Sequence, residues 1–504
     1  MSRLPASERA LWSLILALLV VNVPAFVCMG LDPDVLQWDL CTRAVLEGGV
    51  LYRDSAENNL PGMFVPLAAI HTLFGWRSEV LRAADLLIIL VIAWQLTRLL
   101  AGATRGQHLG LAVALLVFYL STSEWCHCQR DTWMMVPALA ALSLRVRQAA
   151  RLGEPNASPR AILGAAFVEG LLWAAAFWVK PFVAVPALAC WLLTARFTSK
   201  RLNLLLDGSA MLGGGLVAGA GGIAWLVASG AWPWFVEAVF VWNREYVAHD
   251  PSDGQYWPCV AGLVYRFFPW IVVHLVAVPV ALGNMRRGAV SETLLGGFYL
   301  GWLLQSVFLQ HLFDYVHVPP VLLGLTVVAS WYVGHPDYRR VVLVVFLMAV
   351  LLRFPSLCRD RILVWGDCLE RGSTPAMRDR LTLLPKTDWA DLEHVKDFLR
   401  DRDIGDGELS CMHMPTISLY GDLGVRPATR FNFVRNFVVS LPRQRGVILG
   451  ELARSRQRFM VCDTEATAAG SGRVVFASGR YVVLSLSGAE TPAWIDEVVE
   501  PSRK

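Results

Sequence analysis

Long apolar runs alternate with short polar segments along most of the chain. Each run is about 20 residues long, which is the length that an α-helix needs to cross about 30 Å of hydrocarbon. We therefore predict an α-helical polytopic membrane protein. About eleven spans are expected, over residues 10–30, 79–99, 108–123, 131–146, 161–179, 181–197, 206–229, 260–283, 291–311, 315–333 and 338–354.

The pattern changes near residue 355, after which no run is long and apolar enough to span a bilayer. The segment ADLEHVKDFLRDR (390–402) has helical spacing, and GELSCMHM (407–414) alternates like a strand. RVVFASGRYVVLSLS (473–487) indicates two strands joined at Ser478 and Gly479. We predict a transmembrane module over residues 1–354, followed by a C-terminal α/β domain over residues 355–504.

Composition agrees with a membrane protein, since the 504 residues are 55% hydrophobic and only 17% charged. The net charge of +4 is small, and we expect no nucleic-acid partner. The placement of the charges along the chain is more informative than their sum. With the N-terminus inside, the short inner loops hold most of the loop arginines and lysines, which is the distribution that the positive-inside rule requires. Those inner residues are Arg3, Arg9, Arg98, Arg105, Arg145, Arg147, Arg151, Arg160, Arg196, Lys200, Arg201, Arg286, Arg287, Arg339 and Arg340. Eleven spans then place the C-terminal domain outside the cytoplasm.

Two outer segments are long, over residues 31–78 and 230–259. In the first, DVLQWDLCTRAVLEGG predicts a helix that lies along the membrane surface. Its expected apolar face carries Leu36, Leu40, Ala44 and Val45, and its expected wet face carries Asp39, Arg43 and Glu47. The second segment carries Trp232, Trp234 and Trp242, which are typical anchors at a membrane surface.

With this orientation, the unusual polar residues fall on the outer side of the membrane. They come from five separate joints: Asp32, Asp34, Asp39, Glu57, Asn58 and Asn59; Glu124, Gln129, Arg130 and Asp131; Lys180; Arg244, Glu245 and His249; and His311, Asp314, Tyr315 and His317. Each joint alone has a structural explanation, such as an ion pair that caps a helix or a lysine that reaches the surface. Together they predict an outer site. Ionisable groups near bilayer depth are costly to bury, so their presence there indicates a function.

This set of residues suits sugar transfer from a lipid phosphate. A carboxylate can take the proton of an attacking hydroxyl group. Cations such as Lys180, Arg130 and Arg244 can neutralise the charge that develops on a phosphate leaving group. A site at the lipid boundary allows a polyprenyl chain to stay in the bilayer while its head group enters a polar cavity.

Two short patterns bear on metals, and neither is specific. Cys126-His127-Cys128 lacks the paired spacings of a structural zinc site, and Asp32-Pro33-Asp34 matches a metal-nucleotide pattern in only three letters. No cofactor is implied, and a divalent metal ion is compatible with the chemistry without being required by it. In the outer C-terminal part, Cys358, Cys368, Cys411 and Cys462 could form disulfides with three alternative connectivities.

The stretch PDVLQWDLCTRAVLEGGVLYRDSAENNLPG resembles the first outer loop of the GT-C integral membrane glycosyltransferases. That superfamily includes protein O-mannosyltransferases, bacterial lipid A aminoarabinose transferases and bacterial proteins similar to dolichyl-phosphate-mannose mannosyltransferases. In those loops an Asp, usually within Asp-Glu, precedes an amphipathic helix, a Gly, an aromatic residue and a Pro-containing turn. The matching positions here are Asp34, the helix to about Glu47, Gly49, Tyr52 and Pro61.

Further stretches carry the same resemblance. RDTWMMVPAL points to Asp131, WVKPFVAVPAL to Lys180, and LQHLFDYVHVPPVL to Tyr315 and His317. Two departures are notable: Val35 replaces the second carboxylate of the Asp-Glu pair, and Asn58-Asn59 lies near the place where some relatives carry a lysine. Phosphate binding is then expected to depend on Lys180, Arg130 or Arg244.

The resemblance implies a GT-C enzyme of a bacterial cell membrane that uses a polyprenyl-phosphate-linked sugar and inverts the anomeric centre. We expect Asp34 as general base, Asp39 as the fallback base, and Asp131 as a support of the acceptor site. Donor or substrate contacts are expected from Lys180, Arg130, Arg244, Glu57, Asn59, Tyr315 and His317. The acceptor, whether glycan, lipid or protein, stays open. The alternative is a transporter or lipid flippase with an outer domain, although the sequence shows no internal repeat.

Overall fold

The structure is a computed structural model that describes residues 5–248, 256–310, 313–335, 337, 345, 348–352, 359–384, 386–463 and 473–486. The predicted site residues His249 and His311, as well as Cys358, lie outside the described residues. Most of the predicted span 338–354 lies outside them too.

The described residues before 336 are almost entirely helical. The helices are α1 (Ala6–Cys28), α2 (Pro33–Leu46), α3 (Phe64–Phe74), α4 (Ser78–Arg98), α5 (Arg105–Leu120), α6 (Arg130–Trp133), α7 (Met135–Leu152), α8 (Pro159–Val179), α9 (Ala184–Thr194), α10 (Arg201–Ala228), α11 (Trp232–Val236), α12 (Asn243–Ala248), α13 (Tyr256–Phe267), α14 (Val273–Arg287), α15 (Val290–Phe308) and α16 (Val318–Gly334). Short 3₁₀ turns occur at Pro61–Met63, Glu124–Cys126, Pro181–Val183, Ala195–Phe197, Trp270–Val272 and Asp314–His317, and a π-helical turn spans Glu237–Trp242.

Ten of the eleven predicted spans coincide with helical segments in the described part of the chain. By length and composition alone, five of these segments could each cross a bilayer: Ala6–Cys28, Ser78–Arg98, Pro159–Val179, Arg201–Ala228 and Asp314–Gly334. The predicted span 260–283 is not one helix, because the chain bends by 105° between Trp257–Phe267 and Trp270–Arg287. Pro269 falls in the break, where a proline ring would clash with a continuing helix. If the bent pair is counted as one span, six segments of the described chain could cross a bilayer.

Small residues bring α8 and α10 into backbone contact. A Cβ atom added to Gly170 would lie 2.0 Å from the Met211 carbonyl oxygen, and one added to Gly214 would lie 2.1 Å from the Phe167 carbonyl oxygen. No side chain larger than hydrogen fits at either position. This is the close helix pairing that small residues allow within membranes.

Arg145, which the charge pattern placed on an inner loop, lies within α7 and is fully buried. Its Nη1 is 2.7 Å from the Asp207 carboxylate on α10, and its Nη2 is 2.8 Å from the Glu169 carboxylate on α8. A cation can occupy this depth because two neighbouring helices supply opposite charges. Arg145 is therefore not a loop charge of the kind from which the orientation was predicted.

The C-terminal region (residues 359–486) contains helices and one small sheet. The helices are α17 (Arg359–Arg371), α18 (Pro375–Leu381), α19 (Trp389–Arg400), α20 (Ser418–Leu423), α21 (Val434–Ser440) and α22 (Arg445–Arg454), with 3₁₀ turns at Met414–Thr416 and Pro442–Gln444. The strands are β1 (Leu409–Cys411), β2 (Phe459–Asp463), β3 (Arg473–Ser478) and β4 (Tyr481–Ser485), in the order β1-β2-β4-β3. Strands β1 and β2 are parallel and the other two pairs are antiparallel. The helix and the strands predicted in this region are confirmed.

The C-terminal region shares a core with residues of the predicted first outer loop. Cys41 on α2 and the loop residue Tyr52 belong to the same buried apolar cluster as Leu409 on β1 and Val461 on β2. Gly30 also lies against Trp389, since an added Cβ atom would be 2.6 Å from the indole ring. The C-terminal region and residues 30–60 therefore pack directly against each other.

All described cysteines are free, and none of them is bonded to another described cysteine. Cys411 and Cys462 lie on the adjacent strands β1 and β2 and are buried. Cys368 is also buried, with its thiol 3.5 Å from the Met377 sulfur. These cysteines occupy apolar surroundings, in which they pack as small hydrophobic residues.

Candidate functional site

The predicted first outer loop begins with a helix start that fixes two carboxylates. Asp32 is the N-cap of α2, and its Oδ1 accepts a hydrogen bond of 3.0 Å from the Asp34 backbone N–H. Pro33 follows as the first helical residue, where its missing N–H costs nothing. The sequence Asp-Pro-Asp is thus explained by helix capping, and it holds Asp34 in the first turn of a rigid element.

Helix α2 turns a different face inward from the one predicted. Val35, Gln37, Trp38, Cys41 and Thr42 are buried, whereas the leucines and alanine of the predicted apolar face are only partly buried. The helix is covered by protein on more than one side, because the C-terminal region packs over it. An isolated amphipathic helix on a lipid surface would not show this pattern.

Asp34 is half-buried and has one carboxylate oxygen engaged. Its Oδ2 accepts a hydrogen bond of 2.9 Å from the Trp125 indole N–H. Among the described residues, no donor forms a hydrogen bond with Oδ1. An oriented carboxylate with one oxygen left for a ligand is what a general base requires.

Asp131 and Lys180 form a buried ion pair next to this carboxylate. The Lys180 Nζ lies 2.9 Å from Oδ1 and 2.7 Å from Oδ2 of Asp131, which is fully buried. Burial lowers the pKa of Lys180 to about 8, although the charge of Asp131 opposes this shift. Two of the three ammonium protons are used by Asp131, so one is left for another acceptor.

Aromatic rings connect the ion pair to Asp34. The Lys180 ammonium lies 5.5 Å from the centre of the Tyr315 ring. Tyr315 meets Trp125 edge to face, with ring centres 5.8 Å apart. The Tyr315 ring therefore lies next to both the Lys180 ammonium and the indole that holds Asp34.

A turn of the first loop carries Glu57 to the same place. The Glu57 Oε1 accepts hydrogen bonds from the backbone N–H groups of Asn58 (2.9 Å) and Asn59 (3.0 Å), and from the Asn59 side chain. Gly62 presses the end of this turn against the backbone of Trp178 and Val179, immediately before Lys180, and an added Cβ atom would lie only 2.4 Å away. Glu57 and Asn59 are thus locked together beside the Lys180 joint.

Arg130 is the cation with the most unused hydrogen-bonding capacity in this group. Its guanidinium lies 5.6 Å from the centre of the Trp38 ring, and it forms no hydrogen bond or ion pair with a described residue. Burial raises the pKa of Glu57, and the positive charge of Arg130 opposes that shift. A guanidinium has five N–H donors in a planar fork, which suits a phosphate.

Three predicted site residues are placed differently. The Asp39 Oδ1 is 2.7 Å from Nε2 of the buried His71, and Asp39 lines a separate cavity beside α2. His317 is buried, and its Nε2 has no hydrogen-bond partner among the described residues. Arg244 is exposed on α12 and pairs with no described carboxylate. The structure therefore brings together Asp34, Asp131, Lys180, Arg130, Glu57, Asn59 and Tyr315, whereas the described residues show no side-chain hydrogen bond or ion pair from Asp39, His317 or Arg244 to any of them.

The C-terminal region adds a lysine that the sequence did not indicate. The Lys386 Nζ is 2.9 Å from Asp32 Oδ2 and 3.5 Å from the centre of the Trp125 indole ring. The same segment is held by Glu124, whose carboxylate accepts hydrogen bonds from the backbone N–H groups of Leu383 and Leu384 at 3.0 and 2.8 Å. These contacts join residues that are more than 250 positions apart, and no local sequence pattern predicts them.

Burial and the negative charge of Asp34 raise the pKa of Asp32 to about 7, while the ammonium of Lys386 opposes the shift. Lys386 therefore favours the ionised form of the carboxylate that caps α2. Through Asp32 and Trp125, it touches both residues that hold Asp34 in place.

The metal patterns have structural explanations. The His127 Nδ1 lies 2.8 Å from the Arg82 guanidinium, and its Nε2 lies 3.0 Å from the Thr122 hydroxyl. Within the described residues, no three His, Cys, Asp or Glu side chains are grouped so as to hold a metal ion.

Comparison with solved structures identifies the fold. The chain is similar to ArnT from Cupriavidus metallidurans bound to undecaprenyl phosphate, with a TM-score of 0.55, 15% identity, and coverage of 99% of this chain and 100% of that one. The apo form of the same ArnT matches with a TM-score of 0.54 and 14% identity, over 99% of this chain and 100% of that one. An oligosaccharyltransferase from Archaeoglobus fulgidus gives a TM-score of 0.44 and 12% identity, over 90% of this chain and 68% of that one. No family model and no curated protein sequence matches the chain. The ArnT matches show that the helical membrane part and the C-terminal region together adopt an ArnT-like fold.

Proposed function

We propose that the chain is a GT-C membrane glycosyltransferase that moves a sugar from a polyprenyl-phosphate donor to an acceptor at the outer face of the membrane. The observation that carries this proposal is the convergence of an oriented carboxylate, Asp34, with Arg130 and the Asp131–Lys180 pair at the ends of membrane helices. The ArnT-like fold supports it, because the ArnT structure contains undecaprenyl phosphate.

The proposed reaction is one displacement at the anomeric carbon. The acceptor hydroxyl gives its proton to Asp34 Oδ1 as its oxygen bonds to the sugar, and the bond from the sugar to the phosphate oxygen breaks. The electron pair leaves with the polyprenyl phosphate, whose charge Arg130 and the third proton of Lys180 stabilise. A single displacement inverts the anomeric centre, so one carboxylate base is sufficient.

The supporting groups have separate tasks in this proposal. Trp125 orients Asp34, and Tyr315 packs against Trp125 beside the Lys180 ammonium. Glu57 and Asn59 hold the turn beside Lys180 and face the charge of Arg130. Asp131 keeps the Lys180 ammonium at a fixed position rather than free to swing.

The test is transfer by the purified protein in nanodiscs. Radiolabelled undecaprenyl-phosphate sugars are supplied with cell-envelope lipid and glycan acceptors, and label that leaves the donor is followed by chromatography. We expect time-dependent transfer that the Asp34→Asn variant lacks. Movement of labelled lipid between leaflets of proteoliposomes, with no transfer to any acceptor, would favour the transporter or flippase instead.

Lys386 gives this proposal a further prediction. We expect Lys386→Met to lower the transfer rate about tenfold, an estimate based on a lost charge-assisted hydrogen bond. Without the lysine, the pKa of Asp32 rises further, so the acid limb of the pH–rate profile should move to higher pH. Lys386→Arg should retain the profile of the unchanged protein.

The matched control is Lys396→Met, because Lys396 belongs to the same region but pairs with Glu393 on its own helix. It should leave both the rate and the profile unchanged. If Lys386→Met lowers the rate with no movement of the acid limb, the link through Asp32 is wrong.

A further inference from the structure

A polar cavity lies beside α2, on the opposite side of this helix from Asp34 and between the membrane part and the C-terminal region. Its volume is about 430 Å³, within the range of small-molecule sites. Its walls come from α2, from the turn between α3 and α4, and from the helices α18, α19 and α20. None of the residues to which we assign the transfer reaction lines it.

Two arginines in this cavity have their guanidinium groups over indole rings. The Arg43 guanidinium lies 4.7 Å from the centre of the Trp76 ring, and the Arg378 guanidinium lies 5.0 Å from the centre of the Trp389 ring. The attraction between a cation and the face of an indole ring restrains the guanidinium, while its N–H groups can still donate. Both cations are therefore preorganised for an acceptor.

Both arginines approach the same short stretch of the C-terminal region. Arg43 donates to the Gly421 carbonyl oxygen at 3.3 Å, and Arg378 interacts electrostatically with the neighbouring Asp422. Arg378 also donates to the Ser373 hydroxyl at 2.9 Å. Neither guanidinium forms an ion pair of 4.0 Å or less with a carboxylate of the described chain.

The other charged groups of the cavity are already neutralised. Asp39 is paired with His71, and Arg77 is paired with Glu79 at 2.9 Å. The His71 Nδ1 faces the Gly75 carbonyl oxygen at 3.0 Å, so its proton lies on that side. Burial opposes a charge on this imidazole, but Asp39 outweighs it and raises the pKa of His71. The unpaired charges that remain are two cations against the single carboxylate of Asp422, which is exposed.

We propose that this cavity is a phosphate-binding site, distinct from the transfer site, in which Arg43 and Arg378 hold the anionic group of a phosphomonoester. The chemistry fits a soluble phosphate and a phospholipid head group equally. Arginine forks match phosphate oxygens, and the surplus of positive charge favours an anion. Asp422 limits the affinity, because it repels the same ligand.

Binding is measured by isothermal titration calorimetry on the full chain in neutral phosphatidylcholine nanodiscs at low salt. The Arg130→Gln background removes a competing cation of the transfer site. Inorganic phosphate and dihexanoyl phosphatidic acid are the two probes. Tighter binding of phosphatidic acid would identify a lipid head group as the source of the anion, and tighter binding of phosphate would identify a soluble ligand.

We expect Arg43→Gln and Arg378→Gln each to weaken binding of the better probe about tenfold or more, as the loss of a charge-assisted hydrogen bond predicts. Arg77→Gln is the control, because Arg77 lines the same cavity but is paired and mostly exposed. Asp422→Asn should tighten binding severalfold, a gain that misfolding cannot produce. Equal loss in the Arg77 variant, or no tightening in the Asp422 variant, would overturn the proposal, and neither result depends on sugar transfer.

Discussion

Asp34→Asn is expected to lower the rate of sugar transfer by about 10² to 10⁴, the range that general-base catalysis contributes. Asparagine has the same shape, and its side-chain oxygen can still accept the Trp125 hydrogen bond of 2.9 Å. It cannot take a proton from an attacking hydroxyl. The change therefore separates the chemistry of Asp34 from its packing.

Three further measurements accompany the transfer assay of the Asp34→Asn variant. Thermal unfolding of Asp34→Asn should match that of the unchanged protein, since α2 keeps its Asp32 cap. Donor binding should persist, because Arg130 and Lys180 are untouched. Asp54→Asn is the matched control: Asp54 is a carboxylate of the same loop that pairs with Arg53 on the surface, so its loss should not affect the rate. Full activity of the Asp34 variant would remove this residue from the mechanism.

Asp39→Asn discriminates between the two candidate bases. Asp39 is five residues after Asp34, or about 140° around a helix of 3.6 residues per turn, and its partner is His71. We expect a smaller loss of transfer than for Asp34→Asn, accompanied by lower stability because the buried His71 loses the carboxylate charge that favours its protonated form. A greater loss of transfer at Asp39 would reverse the assignment.

The parts of the fold that sequence predicted are those governed by local pattern. Apolar runs mark helices because the bilayer forces backbone hydrogen bonds to be satisfied within each segment. Asp34 and Asp131 could be singled out because each follows or begins such a run, and Lys180 because it interrupts two of them. Strands β3 and β4 were predictable from a single alternating segment with a Gly turn.

The features that the sequence did not predict depend on contacts between segments that are far apart along the chain. Lys386 lies 354 residues from Asp32, and nothing around it distinguishes it from a surface lysine. Arg145 was assigned to a loop because its two carboxylate partners lie on other helices. The inward face of α2 was misjudged for the same reason, since the C-terminal region covers it. Side-chain pairing across the fold is not encoded in the periodicity of one helix.

The second large effect is expected at the Asp131–Lys180 pair, where the structural and functional explanations can be separated. Removing one partner leaves a buried charge without compensation, so Asp131→Asn and Lys180→Met should each destabilise the protein by about 3–5 kcal/mol. Asp131→Asn should also lower the pKa of Lys180 below about 8, so the lysine loses its charge near neutral pH.

The double variant Asp131→Asn/Lys180→Met decides between the two explanations. Replacing both members of a buried pair is often nearly neutral for stability, so thermal unfolding should return most of the way to that of the unchanged protein. If the pair only holds α6 against the end of α8, transfer should return with it. We expect transfer to stay low, because the phosphate has lost a fixed ammonium group. The exposed Arg400–Asp397 pair on α19 is the control, since its removal should cost at most about 1 kcal/mol and no activity. A stable double variant that transfers sugar at the original rate would make the pair purely structural and leave Arg130 as the phosphate ligand.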